Sequence, residues 1–171
     1  MRIITAPSED YSLEHTKNYK VMMAGGITNC PNWQVELIQM FTEKCPDAEI
    51  SLFNPRRENF PIDNPGESER QIVWEFNKFR EADAHIFWFS RGSLNPITLY
   101  ELGRYGNSGK KPLCIGIDEE YQRKQDVIIQ TQLSRKKPLE THITYSLELI
   151  FLWIHQMART HKMIEYYTPN D

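Results

Sequence analysis

Cysteine is scarce and oddly numbered. Cys30, Cys45 and Cys114 are the three in 171 residues, and an odd set at wide spacing argues against a disulfide framework and fits a reducing compartment. The five histidines, His15, His85, His142, His155 and His161, never pair at i, i+4 around an acid, so zinc-helix spacing is missing and no metal or other cofactor is expected. No apolar run is long enough to span a bilayer; the longest, residues 147–154, is interrupted by Glu148. Residues 1–10 hold no apolar core of signal-peptide length before their first acids. A cytoplasmic protein with no membrane partner is expected. Neither sign of charge is in excess, since 20 Lys+Arg face 23 Asp+Glu for a net charge of -3. That balance removes any general pull toward a nucleic-acid polymer or anionic lipid.

What the sequence does contain is an ordinary globular composition, 40% hydrophobic and 12% aromatic, with no repeat or linker to divide it. Short apolar strands alternate with amphipathic segments, so an α/β fold is expected, a parallel sheet flanked by helices. Residues 19–24 read as a strand ending at Gly25-Gly26, followed by a helix with Trp33, Leu37, Ile38, Phe41 and Cys45 at helical spacing and Pro31 in its first turn. Residues 49–54 form the next strand, closed by Pro55, and a long polar loop runs to about Gly66. A helix from about Glu67 presents Ile72, Phe76 and Phe79 and ends near Asp83, before the apolar run 84–89, which reads as a central strand. Asn95-Pro96 supplies an N-cap and a first helical position for a helix ending between Gly106 and Gly109. A strand over 112–117, a helix over 121–134 and a short strand near 139–143 follow. Leu147, Ile150, Phe151, Ile154, Met157 and Ala158 mark a C-terminal amphipathic helix. Residues 1–18 and 166–171 carry no clear element.

In open α/β sheets ligands bind beyond the carboxyl ends of the strands, so Gly25-Gly26, residues 54–57 and residues 90–101 border one crevice. Glu101 stands out there, about one and a half turns into the helix that begins at Asn95-Pro96. A carboxylate in that place suits attack on an anomeric carbon, where it opposes oxocarbenium-like charge and can form a covalent glycosyl ester. It equally suits an acid favoured near a helix start. Glu75 and Asp83, eight positions apart, are candidates to protonate a departing base or hold sugar hydroxyls, or else a solvated helix acid and a turn former. Arg56-Arg57 read as a phosphate clamp or as a basic pair facing Glu58. Gly25-Gly26 permits close backbone approach to a ligand or serves the turn alone. Trp74, Trp88 and Phe89 stack a base or belong to the core.

Taken together, Met23-Ala24-Gly25-Gly26-Ile27, Phe53-Asn54-Pro55-Arg56-Arg57, Glu81-Ala82-Asp83-Ala84 and Tyr100-Glu101-Leu102-Gly103-Arg104 resemble, in content and order, the nucleoside 2-deoxyribosyltransferase-like family. The resemblance covers about residues 19–118. It implies a flavodoxin-like α/β fold, N-glycosidic bond cleavage or transfer on a nucleoside or nucleotide, a homo-oligomer and no metal. By the resemblance Glu101 matches the family's nucleophile, Asp83 the acid of its Ala-Asp step, and Glu75 falls where relatives carry an aspartate that contacts the sugar. Gly25, Gly26, Arg56, Arg57 and Asn95 are the expected substrate contacts. Asn95 stands where some transferases have an acid, and Val21 or Met22 where relatives carry a nucleophile-orienting tyrosine. The expected organisation is an N-terminal extension over 1–18, the transferase-like domain over 19–165 and a tail over 166–171. Other readings on the same fold are a non-catalytic nucleotide-binding module and an assembly subunit that uses the C-terminal helix with Tyr166-Tyr167. Because neither histidines nor cysteines show ligand spacing, EDTA is expected to leave turnover unchanged; a chelator-sensitive activity restored by zinc would contradict this.

Overall fold

The computed structural model describes residues 1–8, 17–61, 63–106, 110–135 and 141–167. In chain order the elements are β1 (Arg2–Thr5), β2 (Tyr19–Gly25), α1 (Trp33–Lys44), β3 (Ile50–Asn54), α2 (Pro65–Glu81) and β4 (Ala84–Phe89). Then come α3 (Pro96–Glu101), a π-helical turn (Leu102–Gly106), β5 (Leu113–Ile117), α4 (Lys124–Ser134), β6 (Thr141–Thr144) and α5 (Leu147–Tyr167). The strands pair in parallel throughout, in the order β1-β3-β2-β4-β5-β6. With β1 set aside, the remaining strands run 2-1-3-4-5 in their own chain order, the flavodoxin-like arrangement, and β1 extends the sheet beyond β3.

Side chains alternate across each strand, so one sheet serves two cores. Val21 and Met23 of β2 and Ile86 and Trp88 of β4 pack with Trp33, Leu37 and Phe41 of α1 and Ile150, Phe151 and Ile154 of α5. Met22, Ala24, Phe87 and Phe89 turn the other way, toward Trp74 and Phe79 of α2, Leu102 of the π turn and Val127 of α4. Every residue of β3, β4 and β5 is buried, as strands covered on both faces must be. Trp74, Trp88 and Phe89 are core residues, which leaves none of them free to stack a base. No helix among the described residues is long and apolar enough to cross a membrane.

Helix ends follow local hydrogen-bond supply. The Asn32 side chain accepts from the Val35 N–H and α1 begins at Trp33, so Pro31 lies before the cap rather than inside the first turn. Asn64 caps α2 by accepting from the Gly66 N–H, with Pro65 at the first helical position. At the far end of α2, the Lys111 ammonium donates to the carbonyls of Phe79, Arg80 and Ala82, satisfying acceptors that the helix itself cannot.

Three expectations change. Residues 2–5 form an edge strand in register with Ser51 to Asn54; a four-residue segment has too short a pattern to announce itself. The helix begun at Pro96 does not continue as α to the glycines but widens into a π turn immediately after Glu101. Finally, α5 runs on through Tyr166 and Tyr167, so these tyrosines extend a helix rather than begin a tail. Residues 107–109, 139–140 and 168–171, on which parts of the expected boundaries fall, lie outside the described residues, as do residues 9–16 of the expected extension.

Candidate active site

The reversal of strand order puts the carboxyl ends of β2 and β4 side by side with their exit loops diverging, the usual place for a ligand crevice. Gly26 and Asn95 weld the two loops together there. A Cβ on Gly26 would lie 1.8 Å from Asn95 Oδ1 and 2.5 Å from Cys30 Sγ, so the glycine makes room for protein rather than for ligand. Asn95 adopts a left-handed backbone (φ 49°, ψ 53°), which Asn tolerates better than most residues. Its side chain does not cap α3. Its amide instead donates to the carbonyls of Ser90 (3.0 Å) and Ser93 (2.9 Å), and its Oδ1 accepts from Cys30 Sγ (3.4 Å). Buried to 3% exposure, Asn95 shapes the crevice and offers no free polar atom to substrate. Gly25 is likewise filled by protein, its missing Cβ replaced by the Trp33 ring at 2.6 Å.

Glu101 and Glu75 do come together. Glu101 is the last residue of α3 and Glu75 lies mid-way along α2, both partly buried. Burial, followed by the nearby Glu75 charge, pushes the Glu101 carboxyl up to about 8 from its ordinary 4.5. Burial also raises the Glu75 carboxyl, and a hydrogen bond from Gln71 partly offsets that rise. Two carboxyls in one poorly solvated place do not ionise independently, so their protons belong to the pair. α2 also pins the segment that follows Glu101. Tyr105 stacks on Phe79 with ring centroids 4.2 Å apart and planes 7° from parallel, and the Arg104 guanidinium lies 5.0 Å from the Phe76 ring centroid. The helix that presents one carboxylate therefore anchors the turn beyond the other.

The remaining expected site residues fall elsewhere. Asp83 is at the amino end of β4, where its Oδ2 accepts from the Lys20 N–H and its own N–H donates to the Lys20 carbonyl, both at 2.8 Å. Six residues of β4, roughly 20 Å at about 3.3 Å each, separate it from the crevice. It is a strand-pairing residue, not a partner of Glu101. The Arg56 guanidinium donates to the carbonyls of Pro31 (2.9 Å) and Cys30 (3.2 Å) and to Gln34 Oε1 (3.2 Å). Arg57 pairs with Glu67 at 2.7 Å and lies over Phe60. These arginines brace the β2–α1 and β3–α2 loops, so their geometry is not that of an open phosphate clamp. Both line a cavity of about 770 Å³ at the carboxyl ends of β1 and β3, with Thr5, Ile27, Asn32 and Asn54. That volume is within the range of small-molecule sites. A second hollow of about 210 Å³ lies at the opposite end of the sheet, beside Tyr19, Ile50 and α5, away from the carboxylate pair.

The sequence reading did not single out Gln71, which donates from Nε2 to Glu75 Oε1 and to the Pro55 carbonyl, each at 2.7 Å. The signal was present. Glu67, Gln71 and Glu75 recur every four residues and share one face of α2, and that face meets the exit of β3.

A flavodoxin-like α/β domain with two carboxylates brought together beside the carboxyl edge of its sheet is the class that the fold and site define. A family model described as nucleoside 2-deoxyribosyltransferase like matches residues 18–121, and the chain belongs to that family. No curated protein matches it. The matched span contains every residue of the site, and membership suggests nucleoside glycosyl transfer as the activity.

The raised Glu101 carboxyl has a consequence for stability. The folded state binds this proton more tightly than the unfolded chain, so its contribution falls as pH rises from about 4.5 toward 8. Glu101→Gln, neutral at every pH, is expected to match the wild type in urea unfolding near pH 5 and to be the more stable protein at pH 9. A difference that stays constant across that range would show that Glu101 is not held in a proton-retaining site.

Proposed function

We propose that the protein is an enzyme that cleaves or transfers the N-glycosidic bond of a nucleoside or nucleoside 5′-monophosphate through a covalent glycosyl ester on Glu101. The observation that carries this reading is the meeting of Glu101 and Glu75 as a partly buried pair beside the crevice, within a chain of the transferase-like family. In the first step the C1′–N bond breaks, its electrons leave with the base, and the base takes a proton. The pair supplies that proton, since Glu101 retains one until about pH 8. Its departure leaves Glu101 ionised to form the C1′–O ester and Glu75 ionised to accept a sugar hydroxyl. In the second step water or another base displaces the ester and restores the anomeric configuration.

Asn95, Gly25 and Gly26 take the role of crevice walls in this scheme. Arg56 and Arg57 brace the loops beneath the larger cavity rather than bind a phosphate directly. No cofactor enters the scheme. A homo-oligomer belongs to the same reading, supported by exposed Ile72 on α2 and by Ile97 and Tyr100 on α3, apolar side chains on the two helices that carry the pair. Cytoplasmic residence fits a small, soluble metabolite as substrate.

A slowly turned over 2-fluoro nucleoside is expected to add the mass of its glycosyl fragment to the peptide containing Glu101, and Glu101→Gln is expected to show no adduct and no turnover. Supplying a second base then separates a transferase, which makes new nucleoside, from a hydrolase, which releases sugar alone. Inverted product without a labelled peptide would refute the nucleophile role.

A further inference from the structure

Gln71 is 9% exposed, and its Oε1 is buried with no hydrogen-bond partner among the described residues. A buried amide with an orphaned oxygen costs stability, and an apolar side chain of similar length would fill the same space without that penalty. Packing therefore gives no reason for an amide here. Its N–H groups have one: both reach out at 2.7 Å, one to the Pro55 carbonyl where β3 ends and one to the Glu75 carboxylate. Pro55 is buried and lies directly before Arg56 and Arg57, which are themselves tied to the β2–α1 loop and to Glu67. The amide is thus fixed at its back by a braced loop, and what it fixes at its front is Glu75.

We propose that Gln71 is a positioning residue, which acts through Glu75 by clamping its carboxylate to the exit of β3 so that it faces Glu101 in one orientation. This rests on the carboxylate-pair reading above. A donor aimed at a carboxylate favours its ionised form, so Gln71 also decides which member of the pair gives up its proton first. The other charged and titratable groups around the pair are Arg104 and Tyr105 on the π turn and the Arg57–Glu67 ion pair at the start of α2. Replacing Gln71 changes none of them directly.

The test is Gln71→Met, which keeps length and removes the donor, with Gln71→Glu as a second variant that keeps length and replaces the donor by an acceptor. Both are made in the full chain, and the glutamate carboxyls are titrated by ¹³C NMR. The Glu75 midpoint is expected to rise by about one pH unit in Gln71→Met, the size of one charge-assisted hydrogen bond, and to rise in Gln71→Glu as well. The thermal midpoint of Gln71→Met is expected to fall modestly, because the Pro55 carbonyl and Glu75 lose their donor, while base release from nucleosides falls about tenfold to a hundredfold. An unshifted Glu75 midpoint overturns the proposal whatever happens to turnover, and so does a shifted midpoint with wild-type turnover in an active enzyme. The NMR arm needs no substrate. A shifted midpoint in a protein that turns over no nucleoside would keep the clamp and reject the nucleoside reading, whereas normal turnover with an unshifted midpoint would do the reverse.

Discussion

Two carboxylates drawn out of water toward one another oppose folding, and the local structure from β3 to the π turn is arranged around holding Glu75 and Glu101 together despite that cost. Burial raises both carboxyls, and the Glu75 charge raises Glu101 further, so the pair is stable in the folded chain only with a proton in it or with compensating donors around it. The compensation comes through α2. Glu67 pairs with Arg57, Gln71 donates both to the Pro55 carbonyl and to Glu75, and Phe76 and Phe79 hold Arg104 and Tyr105 beyond Glu101. A proton retained near neutrality is a liability for stability and an asset for chemistry that must hand a proton to a leaving group.

The parallel sheet supplies the frame, and its exit loops are joined by protein rather than kept open for ligand. Gly26 and Asn95 interlock at the strand-order reversal, and Arg56 ties the loop after β3 to the loop after β2. Residues that look like ligand contacts in a motif can therefore be the braces of the crevice. The Arg56 guanidinium donates to two backbone carbonyls of the β2–α1 loop and to the Gln34 side chain at the start of α1, which fixes the wall from which a ligand would be approached. Such fixing is what keeps a loop-built site in one geometry.

Most of the fold was legible in the residues, because fully buried parallel strands give uninterrupted apolar runs; residues 84–89 became β4 without change, and 112–117 became β5 less its proline. β1 was not, being four residues long. Glu101 and Glu75 were legible as candidates, but their proximity was not, since 26 positions separate them and only the packing of α2 against the segment after β4 brings them together. Asp83 was open to exclusion from chain order alone. A residue between a helix and the following strand of a parallel sheet stands at the amino end, while ligands occupy the carboxyl end. Gln71 was hidden for a different reason: glutamine carries no charge or nucleophile to single it out, and its meaning depends on which two acceptors it reaches.

The point along α2 at which the helix meets the exit of β3 accounts for the long loop between them. Glu75 is ten residues past the start of α2 and Glu101 five past the start of α3, so at ~1.5 Å per residue they lie roughly 15 Å and 7.5 Å along their helices. α2 begins well beyond the end of β3, since Gln71, six residues past the start of the helix, donates to the Pro55 carbonyl directly after that strand. Its first turn then overhangs the carboxyl edge as a wall, and there Glu67 receives Arg57 from the long loop after β3. The length of that loop follows from the same offset, since the chain has to climb past the end of β3 before α2 can begin. The Glu75 carboxylate therefore lies one helical turn past the point where α2 meets the exit of β3, and burial there and at Glu101 raises the affinity of both carboxyls for a proton.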